Sequence, residues 1–226
     1  MEPLHVVFLL FPNVTQLDLT GPAQVLSRLG NVKIDLVWKT LDPVPTDAGF
    51  SIMPTAALDD VQRADILCVP GGFGTVAVME DADVLEWVRR IGERATWVTS
   101  VCTGSLVLAA AGLLTGYRAA CHWASRHQLA WFGVEPVNER WVVDRNRVTG
   151  GGVTAGIDFA IALTALIRGK EHAKFVQLSI EYDPHPPFDS GTPDKADAAT
   201  LARYRDMIAK NAGDRETRVR AAADRL

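Results

Sequence analysis

Cys102 lies in the string Trp97-Val98-Thr99-Ser100-Val101-Cys102-Thr103-Gly104-Ser105-Leu106-Val107-Leu108. The β-branched apolar run reads as a buried parallel strand, Gly104 permits a tight turn, and the small-residue segment after it reads as a helix that packs closely on a sheet. A thiol at the first turn of such a helix meets free backbone N–H groups and the positive end of the macrodipole. Both favour the thiolate, which is the nucleophilic form. Free cysteine is also among the most buried residue types, so a structural thiol is the competing reading.

Four further features fall near the same chemistry. Asp18, in Val14-Thr15-Gln16-Leu17-Asp18-Leu19-Thr20-Gly21-Pro22, is either a carboxylate favoured at a helix N-terminus or an acid placed to meet Cys102. Pro70-Gly71-Gly72-Phe73-Gly74 follows a short apolar strand. It is either a plain turn or, with the Gly72 and Thr103 amides, an oxyanion-type site. It has neither GxGxxG spacing nor the Lys-Ser/Thr of a phosphate loop, which argues against a nucleotide. Cys121-His122-Trp123 offers His122 as a general base or as a structural histidine. Gly150-Gly151-Gly152-Val153 precedes a helix and gives Val153 as an apolar pocket wall. The five histidines show no HExxH or His/Cys ligand spacing, and neither CxxC nor GxSxG occurs. No metal site or serine elbow is predicted, which leaves the cysteine as the credible nucleophile.

These residues need elements to hold them. Strand-like runs at His5–Phe11, Val32–Lys39, Asp65–Val69, Thr96–Val101 and Tyr117–Ala120 alternate with helix-like runs at Gly21–Leu29, Val84–Arg94, Leu106–Leu114 and Gly156–Ile167. Strand–helix alternation with continuously apolar strands predicts an α/β fold, a parallel sheet covered on both faces. Ligands in such sheets bind outside the carboxyl ends of the strands, where Cys102 falls. Asp183–Pro193 is too proline-rich for a helix, and helical periodicity returns over Asp194–Ala212. The arginine-rich stretch 213–226 reads as a tail or helix extension beyond a domain spanning 1–212.

At 226 residues, 48% hydrophobic and 22% charged, the chain has ordinary globular composition and room for one sizeable core. Its net charge of −4 argues against nucleic acid as a partner. Three cysteines do not suggest a disulfide framework, so a reducing cytoplasm is expected. The longest apolar helix-like run, Leu106–Leu114, is too short to span a bilayer.

Together, Val-Cys-Thr-Gly-Ser at 101–105, Pro-Gly-Gly at 70–72, Ala-Cys-His-Trp at 120–123 and Gly-Gly-Val-Thr-Ala-Gly-Ile-Asp at 151–158 resemble the PfpI/ThiJ superfamily. Leu-Asp-Leu-Thr-Gly-Pro at 17–22 and Glu-Tyr-Asp-Pro-His-Pro-Pro-Phe-Asp-Ser-Gly-Thr-Pro at 181–193 are similar to the isonitrile (isocyanide) hydratases within it. The resemblance covers roughly residues 4–212. It implies a flavodoxin-like, doubly wound, mostly parallel sheet in a single domain, with Cys102 as nucleophile on a strained elbow. Asp18 becomes its acidic partner, where many relatives carry glutamate, and Gly72 and Thr103 supply anion-binding amides. His122 is an auxiliary residue. It further implies hydration of an isocyanide without a cofactor, in a homodimer. The rival readings are another cysteine-dependent hydrolase or glyoxalase-type enzyme, in which His122 is indispensable, and a non-enzymatic redox sensor at Cys102.

Overall fold

The computed structural model describes residues 2–226, apart from the side chains at 211 and 212. Seven strands form one sheet: β1 (Leu4–Leu9), β2 (Val32–Trp38), β3 (Ala56–Ala57), β4 (Ile66–Val69), β5 (Trp97–Val101), β6 (Trp141–Asp144) and β7 (Arg147–Gly150). They lie in the order β6-β7-β5-β4-β1-β2-β3, parallel except for the antiparallel β6–β7 pair at one edge. Phe8, Leu9, Ile66 and Leu67 have no exposed surface, as both-face burial of a parallel sheet requires.

The helices are α1 (Gln16–Leu26), α2 (Thr75–Glu80), α3 (Ala82–Arg94), α4 (Gly104–Ala110), α5 (Ala155–Arg168), α6 (Lys170–Ser179), α7 (Ala198–Ala212) and α8 (Arg215–Ala223). Helix α5 packs on α1 and α6, whereas α2 packs on α3, α4 and α8, so the sheet is sandwiched in the mostly parallel, single-domain α/β architecture expected. Most of the expected strands fall within two residues of those seen.

The departures have local causes. Helix α1 starts at Gln16, five residues before the expected Gly21, and so carries Asp18 in its first turn. Pro22 sits inside that helix, where it lacks an N–H for the Asp18 carbonyl. Tertiary packing tolerates the loss, since Pro22 is itself buried. Helix α4 ends at Ala110 rather than Leu114 because Gly112 turns the chain at φ +75°. Arg145 at φ +55° closes the β6–β7 hairpin without the glycine that normally advertises such a turn. Helix α8 is docked, with Val219 and Ala222 buried and Arg218 paired to Glu80.

Candidate active site

Strand β5 ends at Val101, and the next residue turns sharply. Cys102 has φ +57°, a left-handed conformation that costs a non-glycine residue about 1 kcal/mol or more. Its N–H donates to the Gly150 carbonyl at 3.0 Å, which ties the elbow to the end of β7. Helix α4 follows at once, and Gly104 lets it press against β4: a Cβ there would lie 2.0 Å from the Val69 carbonyl oxygen. Only glycine closes this corner.

Helix α1 supplies the acid. Asp18 is fully buried, and its Oδ2 accepts the Gly71 N–H at 2.9 Å. The Thr15 N–H donates to the Gly71 carbonyl at 3.0 Å, so the turn after β4 and the start of α1 grip each other. A Cβ on Gly71 would stand 2.7 Å from Thr103 N, 2.8 Å from Asp18 Oδ2 and 2.8 Å from Cys102 Cβ. Those three groups therefore flank one point. Asp18 Oδ1 is buried and has no hydrogen-bond partner.

Burial dominates the electrostatics. It pushes the Asp18 carboxyl up to about 7, although the Gly71 N–H and the Cys102 thiol pull it down and Asp47 adds a further upward push. Burial also pushes the Cys102 thiol well above its ordinary range. Asp18 and Cys121 reinforce that shift, and the Thr103 N–H and hydroxyl oppose it. The helix N-terminus alone would favour thiolate, but here desolvation outweighs it. Burial thus opposes the thiolate that the helix start favours, and the Thr103 N–H and hydroxyl support it. Cys68 and Cys121 are also buried and are pushed up to about 12, mainly by burial.

The Gly72 N–H donates to Thr103 Oγ1 at 3.0 Å, and the Thr75 hydroxyl donates to the Gly72 carbonyl at 2.9 Å. Of the two amides expected to face an anion, Thr103's acts on Cys102 and Gly72's is taken up by the Thr103 hydroxyl. The amide on Asp18 is Gly71's. A cavity of about 350 Å³ opens over Cys102 and is also lined by Gly72, Thr103, His122 and Val153. Asp18 is not among its lining residues. His122 accepts the Ala124 N–H at Nδ1, 3.3 Å away, and its ring lies near Trp123 and Tyr204. Burial and then Arg215 push its pKa down, and acceptance at Nδ1 assigns the ring proton of the neutral form to Nε2.

Phe73, Gln128, Tyr204 and Arg215 also line this cavity, and none is a candidate from sequence. Gln128 and Arg215 belong to segments whose local pattern announces only a short turn and a weakly amphipathic helix. A larger hollow of about 780 Å³, lined by Glu2, His5, Lys33, Arg63 and Asp65 among others, lies around the amino ends of β1 and β2 and contains no nucleophile. Among the described residues, no group of three or more His, Cys, Asp or Glu side chains is placed to hold a metal ion, and no helix is long and apolar enough to cross a membrane.

A strained cysteine elbow beside a buried carboxyl, on a doubly wound sheet, defines the class. Residues 4–166 match the model of the DJ-1/PfpI family, and the chain belongs to that family. Among particular relatives, an isonitrile hydratase of Pseudomonas putida is 50% identical over 206 residues, covering 91% of this chain and 90% of that protein. The crystal structure of a THiJ/PfpI family protein from Pseudomonas syringae superposes with a TM-score of 0.93 at 42% identity, covering 99% of this chain and 91% of that one. An HTH-type transcriptional regulator of Pseudomonas aeruginosa is 30% identical over 77% of this chain, which spans only 53% of the regulator.

Proposed function

We propose that this protein is an isonitrile hydratase, a hydro-lyase-type enzyme that adds water to R–N≡C to give the N-substituted formamide R–NH–CHO. The observation that carries the reading is the buried Asp18 carboxyl set against Cys102, in a chain half identical to an isonitrile hydratase. The isocyanide carbon needs a nucleophile and a proton at the same atom, and the pair supplies both.

The two acids titrate together. Above about pH 7 one proton remains, shared between sulfur and carboxyl. With that proton on Asp18, the thiolate attacks the isocyanide carbon. Asp18 delivers its proton there, forming the C–S and C–H bonds of a thioimidate, R–N=CH–S–Cys102. The Asp18 carboxylate then takes a proton from water as the oxygen adds to the same carbon, and passes it to the nitrogen, which becomes N–H. Collapse of the adduct breaks the C–S bond, forms the formamide carbonyl and returns the remaining proton to the pair. The carboxyl is acid first and base second, the duty for which a pKa near neutrality suits it. Thr103, whose N–H and hydroxyl act on the sulfur, stabilises the charge that collects there. Gly72 holds Thr103, Val153 forms an apolar wall, and His122 shapes the cavity as a neutral auxiliary.

Turnover of cyclohexyl isocyanide tests the proposal. Wild type is expected to produce N-cyclohexylformamide, and Cys102→Ala and Asp18→Asn to lose at least about a hundredfold in kcat, the scale of a lost nucleophile or acid–base group. Full activity in Cys102→Ala would sink it. Mass spectrometry is expected to find the substrate adduct on Cys102 and not on Cys68 or Cys121.

The same reading makes the protein a cytoplasmic homodimer. Its three cysteines are unpaired, which suits a reducing compartment. Phe175 and Leu178 on α6, with Leu166 on α5, leave large apolar side chains in solvent, of the kind subunit interfaces cover.

A further inference from the structure

Arg215 is placed where local physics disfavours it. It is the first residue of α8, where the macrodipole repels a cation. It is only partly exposed, and burial pulls its pKa down. Its one hydrogen bond within the protein is to the neutral Thr75 hydroxyl, at 3.0 Å, and it forms no ion pair among the described residues. Among the described residues it is also the only Lys or Arg lining the cavity over Cys102. A half-buried guanidinium that lines a cavity without a carboxylate partner is open to an anion entering from outside.

Gln128 on the same wall makes the second observation. It is 5% exposed, and its Oε1 is buried without a hydrogen-bond partner. With Oε1 enclosed, the NH2 is the end of the side chain left to face the cavity, and it is a donor. The cavity thus presents a guanidinium without a carboxylate partner and an amide NH2, with Phe73, Val153 and Ile208 among their apolar neighbours in the lining.

We propose that the preferred substrates are isocyanides bearing a carboxylate, which Arg215 binds while the isocyano carbon meets Cys102, with the Gln128 amide as a second donor. This substrate class rests on the hydratase reading above. A planar monoanion matches the guanidinium fork. Asp47 and Glu216 at the exposed rim of the cavity would repel a more highly charged group such as a phosphate, so the carboxylate is the fitting anion.

The test compares kcat/KM for 4-isocyanobutanoate and for its methyl ester, so that any loss common to both cancels. Wild type is expected to favour the acid by about tenfold or more, the scale of one charge-assisted pair. Arg215→Met is expected to bring the ratio close to one, Arg215→Lys to keep part of it, and Gln128→Leu to reduce it. A ratio near one in wild type overturns the proposal, as does a wild-type ratio retained in Arg215→Met. A purely electrostatic effect of Arg215 on Cys102 would slow both substrates alike and leave the ratio unchanged. Should Arg215→Met not fold, the wild-type enzyme decides through inhibition of cyclohexyl isocyanide turnover. There 4-formamidobutanoate is expected to bind at least about ten times more tightly than its methyl ester, and equal inhibition overturns the proposal. Turnover of cyclohexyl isocyanide with no acid preference removes the carboxylate alone, whereas no turnover of any isocyanide removes the hydratase reading and this inference with it.

Discussion

Both Cys102 and Asp18 are acids whose charged forms the interior resists, and the proton they share sets the pH behaviour. The reactive form carries one proton on the pair, and it appears as the first proton leaves near pH 7. kcat/KM for a neutral isocyanide is therefore expected to rise between pH 6 and 8 and to hold into the alkaline range, since the second proton belongs to a thiol pushed far upward. Activity that falls through pH 7 would contradict the assigned protonation state. Stability runs the other way. The folded pKa of Asp18, about 7, lies above the ordinary value of 3.8, so the folded state holds the extra proton between those values. Its stability then declines as pH rises through that window. Asp18→Asn removes the charge and is expected to exceed wild type at pH 8 by on the order of 3 kcal/mol, with no gain at pH 4. Urea unfolding at the two pH values checks this, and a pH-independent difference would refute the assignment.

At the scale of elements, what positions the pair is close backbone contact. Gly71→Ala drives a Cβ into Thr103 N, Asp18 Oδ2 and Cys102 Cβ at once. It is expected to cost about 1–3 kcal/mol of stability and most of the activity. A folded Gly71→Ala protein with wild-type kcat would show that the contact is not needed. The strands β1, β4 and β5 were legible as largely apolar buried runs and β2 as an apolar run interrupted by Lys33 and Asp35, and the elbow was legible because Cys102 follows one of them. The start of helix α1 was not, since Gly21-Pro22 mimics a helix start while packing carries the helix through the proline. The β6–β7 hairpin escaped because its turn residue is Arg145, a type that gives no warning of positive φ. The site followed the same division. Cys102, Asp18, Thr103 and Val153 lie beside strand ends and glycine turns, where a local pattern exists. Gln128 and Arg215 reach the cavity only through tertiary packing.

The whole molecule brings α8 across α2 to complete the cavity more than a hundred residues beyond Cys102 in sequence. That docking rests on a small buried face, Val219 and Ala222, with the Arg218–Glu80 pair at its side. Val219→Asp buries an unpaired carboxylate and is expected to release the helix at a cost of roughly 3 kcal/mol or more. Limited proteolysis followed by mass measurement should then find the first cuts between 213 and 226; an unchanged digestion pattern would mean that α8 is held otherwise. The left-handed backbone at Cys102 has a practical corollary for anyone engineering this protein. Glycine adopts that conformation without steric penalty, so the side chain that performs the reaction is also the one that strains the backbone there. A selection run at pH 8 on thermal survival alone would drift toward Asp18→Asn, yielding hardy but inert descendants. Turnover has to be scored in every round.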